Sequence, residues 1–228
     1  MVDILLNHEP KLVKAQDVVK LQLTPVDSEA GDSPLELEQV HTKDVHLIIV
    51  SEDLSFFAHV HPQKAGKAYA VEFTFPFGGK FLVYNDIKPL NGSPVVIRKD
   101  IEVAGEQRPP QQYSGEVLSG RQGKVSVQLD ARDPSAIQVH ITQNGNPVPA
   151  SSLSDYLGAK AHVVILPLES KAYLHVHPMV HQNRLVLHTA FGATGTYRAW
   201  LQLLLDEQLY TFDFVLLVKG VSTHTMHH

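Results

Sequence analysis

The chain of 228 residues contains no cysteine, which excludes a disulfide framework and every thiolate-ligated metal or redox site. Long apolar runs are also missing. No segment approaches the roughly 20 residues needed to span a bilayer as a helix, and the opening stretch MVDILLNHEPKLVKAQ lacks a charged region followed by a long apolar one, so no export signal is expected in it. The formal charge of -5 comes without a Lys/Arg cluster, which argues against a nucleic-acid partner, because phosphate binding needs a basic stripe. Nucleotide-binding and nucleophile-elbow motifs are absent too: there is no P-loop, no Gly-x-Gly-x-x-Gly and no Gly-x-Ser-x-Gly.

What the chain does contain is a motif that occurs twice. HLIIVSEDLSFFAHVHP (residues 46–62) and HVVILPLESKAYLHVHP (residues 162–178) share their internal spacing, so His46, His59, His61 and Pro62 recur as His162, His175, His177 and Pro178. The repeat extends beyond the motif. At a constant offset of 116 residues Leu21 falls on Ile137, Phe57 on Tyr173, Phe75 on Phe191, Gly79 on Gly195, Phe81 on Tyr197 and Tyr84 on Trp200. A period of this length is a domain-sized duplication and not a solenoid repeat.

Each half is long enough to bury its own core. The expected division is a first repeat over 1–106, a Gly/Pro/Gln/Ser-rich linker over 107–123, a second repeat over 124–222 and a histidine-containing tail over 223–228. Short apolar or alternating segments, among them Val18 to Thr24, Val71 to Phe75, Lys80 to Tyr84 and Thr196 to Leu203, read as strands. Gly78-Gly79 and Thr194-Gly195 are expected to reverse hairpins, and Asn144-Gly145 to form another tight turn. No convincing helical stripe occurs. The fold class expected is all-β: two tandem immunoglobulin-like β-sandwich domains. The aromatic residues that repeat between the halves are expected in the cores rather than on a carbohydrate-stacking platform.

The histidine hairpin carries the chemistry. A two-residue turn at Glu52-Asp53 would set His46 across from His59, and one at Leu168-Glu169 would set His162 across from His175. Residues two apart on a strand share a face, so His61 and His177 join their respective pairs. Three imidazoles at those spacings can converge on one ion with bonds near 2 Å. Glu72 and His188 are equivalent positions that both interrupt an apolar pattern, which makes them candidates for a fourth ligand; Asp44 and His181 are further ones. An imidazole and carboxylate set without thiolates suits copper(II), zinc or nickel(II).

Two other readings remain open. The His-Val-His-Pro segment can be a folding device that locks a hairpin corner through imidazole-to-backbone bonds, which would make the protein a structural or interaction module. Alternatively, a three-histidine site with an open position can activate water as hydrolytic zinc sites do. A cupin site is excluded, because Glu72 lies eleven residues beyond His61 and the flanking glycines are missing.

The phrases HTKDVHLIIVSEDLSFFAHVHP and SDYLGAKAHVVILPLESKAYLHVHP resemble bacterial envelope proteins of poorly defined function. Their β-sandwich domains carry a hairpin ending in Phe-x-His-x-His-Pro or Tyr-Leu-His-Val-His-Pro. The resemblance implies an exported or membrane-anchored sandwich pair, placed in the envelope or periplasm and concerned with copper or other heavy metals. The function expected is therefore metal binding without catalysis, with a metal ion, and another envelope protein, as partners. This sequence departs from the pattern at Phe75-Pro-Phe-Gly-Gly79 and Ala193-Thr-Gly195, where the Pro-x-Gly turn is altered.

Overall fold

The computed structural model describes residues 1–220, and of His175 and His177 the backbone alone. Two compact units follow one another, Met1–Gln111 and Gln112 onward, and each is an antiparallel immunoglobulin-like β-sandwich.

The first domain comprises β1 (Val2–Glu9), β2 (Val18–Asp27), β3 (Ser33–Pro34), β4 (Leu37–Glu38), β5 (Val45–Ser51), β6 (Phe57–Val60), β7 (Gln63–Ala65), β8 (Ala68–Thr74), β9 (Gly79–Pro89) and β10 (Val95–Val103). One sheet has the order β1-β2-β8-β7, with β3 on β2; the other has β10-β9-β5-β6, with β4 on β9. The alternation in β2 explains the packing. Val19, Leu21 and Leu23 are fully buried while Val18, Lys20 and Gln22 between them are exposed, which is the period of two expected of a strand with one wet face. They meet Leu47 and Ile49 of β5 and Val83 of β9 in the core. Burying each such side chain stabilises the fold by about 1.5–3 kcal/mol.

The second domain comprises β11 (Ser119–Gln122), β12 (Val125–Asp130), β13 (Ala136–Gln143), β14 (Asn146–Pro147), β15 (Ala161–Pro167), β16 (Leu174–His181), β17 (Arg184–His188), β18 (Gly195–Leu205) and β19 (Gln208–Val218). The duplication is visible in its packing. Phe75 and Phe81 meet edge to face at 4.9 Å and 65°, and their counterparts Phe191 and Tyr197 do so at 4.8 Å and 66°. Asn144 and Gly145 take φ of 51° and 81° between β13 and β14, the two positive values that a type I′ hairpin requires.

Three sequence expectations are corrected. Gly78-Gly79 and Thr194-Gly195 do not reverse hairpins: β8 pairs with β2 and β7, whereas β9 pairs with β5 and β10. The chain instead crosses from one sheet to the other there. Gly78 is required for a different reason, since a Cβ on it would lie 2.4 Å from the carbonyl oxygen of Gly105. The expected linker over 107–123 is partly ordered into the domains, because Gln107 bridges to Gly78, Val117 bridges to Val215, and β11 pairs with β12.

The third correction concerns the histidine hairpin. Leu47 pairs with Val60 and Ile48 with His59, a shift of two residues from the expected register, and in the second domain Val163 pairs with Val176 and Val164 with His175. A two-residue turn would need φ above zero at Glu52, and in its type I′ form at Asp53 as well, for which neither has a glycine's freedom. The chain forms a longer loop in which Leu54 alone takes φ of 59°. Its backbone is satisfied by side chains. Ser51 Oγ accepts from Ser55 N at 3.1 Å and Phe56 N at 2.9 Å, and Asp53 Oδ1 accepts from Ser51 Oγ at 2.6 Å and Ser55 Oγ at 2.8 Å. Because the shift is by two, side chains keep their expected faces, and in the first domain His46, His59 and His61 stay together.

Candidate metal centre

The His-Val-His-Pro segment is where a strand changes sheets. In the second domain β16 pairs with β15 over Leu174 to Val176 and then with β17 from His177 to His181. In the first, β6 pairs with β5, β7 pairs with β8, and His61-Pro62 lie between them. Proline has no amide hydrogen for a ladder, so it fits the point at which one ladder ends and another begins. This corner sets His61 beside β5.

His46, His59 and His61 meet on the face of the sheet that points away from the core. One ring nitrogen from each lies within 4.8 Å of the other two. His46 Nδ1 is 3.1 Å from His59 Nε2, and His61 Nε2 is 3.1 Å from the same atom. His46 is buried, with 6 % of its surface exposed, and the other two are half-buried. The outer nitrogen of His46 is committed: Nε2 lies 2.8 Å from the carbonyl oxygen of Val40. A carbonyl can only accept, so Nε2 carries the hydrogen and a neutral His46 presents its Nδ1 lone pair to the cluster.

The second domain repeats this device. His162 Nε2 lies 2.8 Å from the carbonyl of Tyr156, and Tyr156 stands 116 residues after Val40 as His162 does after His46. Both carbonyls belong to tight turns closed by the bridges Val40 to Lys43 and Tyr156 to Ala159. His41 and Thr42 in one, Leu157 and Gly158 in the other, take positive φ. Sequence reading missed these turns, although the constant offset between Val40 and Tyr156 was the available signal.

Three converging imidazole nitrogens pose a chemical problem. Each offers one in-plane site, a lone pair or an N–H, so His59 Nε2 cannot satisfy two neighbours with two separate linear hydrogen bonds. A cation at the centre satisfies all three. Two ligands at tetrahedral angles on bonds near 2.0–2.1 Å stand ~3.3 Å apart, close to the 3.1 Å separations here. A metal-bound histidine whose other ring nitrogen donates to a carbonyl is also the usual way such a ring is oriented.

The remaining candidates fall elsewhere. Glu72 is exposed on β8, across from Lys20, and its carboxylate is not among the converging atoms. It lies in the opposite sheet and points to solvent. His188 is exposed, and its backbone pairs directly with that of His177. The expected side-chain roles of His175 and His177 lie outside the described residues. Asp44 stands near Tyr69, whose hydroxyl pKa is raised by burial and next by the charge of Asp44. His181 is exposed and pairs with Arg184. His8 bonds the carbonyl of Pro10 at 3.0 Å, a local role. His41 stands edge-on to His46 with ring centroids 6.2 Å apart.

A family model described as "domain of unknown function (DUF8832)" matches residues 3–105 and again 116–220. The chain belongs to the DUF8832 family. Its two matched segments coincide with the duplicated sandwiches. None of the curated proteins matches the chain. Among solved structures, one described as a study of promiscuous specificity in carbohydrate-binding modules of the β-sandwich superfamily overlaps with a TM-score of 0.30 at 9 % identity, over 95 % of this chain and 96 % of that one. A second, the Bacteroides ovatus mixed-linkage glucan utilization locus protein SGBP-B with a bound heptasaccharide, gives a TM-score of 0.27 at 13 % identity, over 96 % of this chain and 48 % of that one. At these values neither overlap bears on the fold or the function of this chain. Among the described residues no helix is long and apolar enough to cross a membrane.

Proposed function

We propose that the protein binds a divalent transition-metal ion, copper or zinc, through His46 Nδ1, His59 Nε2 and His61 Nε2, and that it holds the ion without catalysing a reaction. The observation that carries this reading is the approach of three ring nitrogens to a common point while Val40 fixes the tautomer of His46. The repeated set in the second domain, His162, His175 and His177 with His188 as fourth group, carries the same proposal, supported by the matching His162 to Tyr156 bond. The resemblance of the hairpin sequences extends the proposal to a place in the bacterial envelope and to delivery or buffering of the ion there.

Calorimetric titration of the chain with zinc and copper(II), with His224, His227 and His228 replaced by serine, tests this reading. About two ions per chain are expected, with one lost on His59→Ala. Absence of binding by the folded protein contradicts the reading, and turnover of an activated ester by the loaded protein would make it a hydrolase.

One observation favours a second reading. His46 and His162 each tie a strand to the turn that precedes it, as a folding device would. In a structural or interaction module, His46→Ala would lower stability by about 1–3 kcal/mol, the cost of leaving a buried carbonyl unpaired, with or without metal.

A further inference from the structure

Beside the three histidines stands a carboxylate that the repeat does not share. β5 lies between β9 and β6 in its sheet, and the Cα register pairs His46 with Asp86 of β9. Directly opposed residues on antiparallel strands share a face with Cβ atoms about 4.5–5.5 Å apart. His46 is thus flanked by Asp86 on one side and by the strand of His59 on the other. In the second domain the register pairs His162 with Gln202, whose amide donates to Thr211 Oγ1 at 3.0 Å. On β10, Val96 opposes Asp86.

We propose that Asp86 is the charge-balancing residue of the first-domain metal site and makes it the tighter of the two. The proposal rests on the metal reading above. Three neutral imidazoles leave both charges of a divalent ion uncompensated. A half-buried carboxylate directly across the strand pair from His46 offsets one of them and accepts a hydrogen bond from water on the open coordination position. Its carboxylate is not one of the converging atoms, so Asp86 acts from beside the ligands, as residues that support metal ligands do. Gln202 is uncharged and cannot take this part.

The test is zinc and cobalt(II) titration of the full chain carrying the three tail serines, as wild type, Asp86→Asn and Asp86→Glu, with the cobalt visible spectrum and the metal-free melting temperature recorded for each. Asp86→Asn is expected to weaken the tighter site about 10- to 100-fold and to shift its cobalt bands, by more than any change in the metal-free melting temperature accounts for. Asp86→Glu should restore most of the affinity. If the wild type binds and Asp86→Asn binds as tightly with the same spectrum, this inference is overturned while the metal reading stands. A wild type that binds no metal overturns both. Loss of affinity together with a lower metal-free melting temperature, unrelieved by glutamate, overturns the charge-balancing role in favour of a structural one.

Discussion

Replacing His59 by alanine separates the metal account from the folding account in one experiment. His59 Nε2 is the atom from which both other ring nitrogens stand 3.1 Å away, so its removal leaves two ligands that no longer share a neighbour. In the metal-free protein the loss is that of a half-buried group and its net hydrogen bonding, about 0.5–1.5 kcal/mol. With metal the difference is larger. An ion at a hundred times its dissociation constant stabilises the folded domain by about 2.7 kcal/mol, and each kcal/mol moves the melting point of a domain near this size by roughly 4 °C or more. The wild type should therefore gain roughly 10 °C in its first-domain transition on adding zinc, and His59→Ala should gain almost nothing. Scanning calorimetry measures both, and the single tryptophan, Trp200, identifies the second-domain transition by its fluorescence. An equal zinc-induced gain in wild type and variant, or none in either, refutes the reasoning.

Other consequences are testable on the same material. Asp53→Ala removes the acceptor for Ser51 Oγ, Ser55 N and Oγ, and Gln111 N, and should cost about 1–3 kcal/mol by denaturant unfolding while weakening zinc binding through loss of the hairpin register. Burial opposes ionisation of Asp53, but these hydrogen bonds outweigh it and hold its pKa below the usual value of 3.8. Its stabilising contribution is thus full above the unfolded pKa and lost as pH falls through the lower folded one, so acid unfolding of the wild type should be steeper than that of the variant. Tyr84 is pushed up to about 12, by burial first and against the pull of Arg98. Absorbance titration should find it protonated at pH 11, and stability should fall as pH rises above 10, where the unfolded chain releases that proton first. Gly78→Ala places a methyl group against the Gly105 carbonyl and should destabilise the first domain without affecting the Trp200 transition.

The sequence revealed the duplication, the β class and the face on which the histidines lie, because offset and strand parity survive any even shift in register. It did not reveal the register itself. That depended on Ser51 and Asp53 capping a longer loop, side-chain chemistry that a two-residue turn rule ignores. The sheet crossing at Gly78 was hidden because a glycine pair looks the same in a hairpin as in a crossover; only the approach of Gly105 distinguishes them. Glu72 was chosen from its broken apolar pattern, which marks a solvent-facing position as readily as a ligand. Asp86 was passed over because its relation to His46 is made by strand pairing across 40 residues of sequence, not by spacing along the chain.

The most direct test of the central claim is long-range proton–nitrogen correlation NMR of the histidine rings, with and without one equivalent of zinc. The account predicts that His46 keeps its hydrogen on Nε2, and that His46 Nδ1, His59 Nε2 and His61 Nε2 shift together to metal-bound values. Zinc that leaves those three nitrogens unchanged, or a His46 protonated on Nδ1, would contradict it.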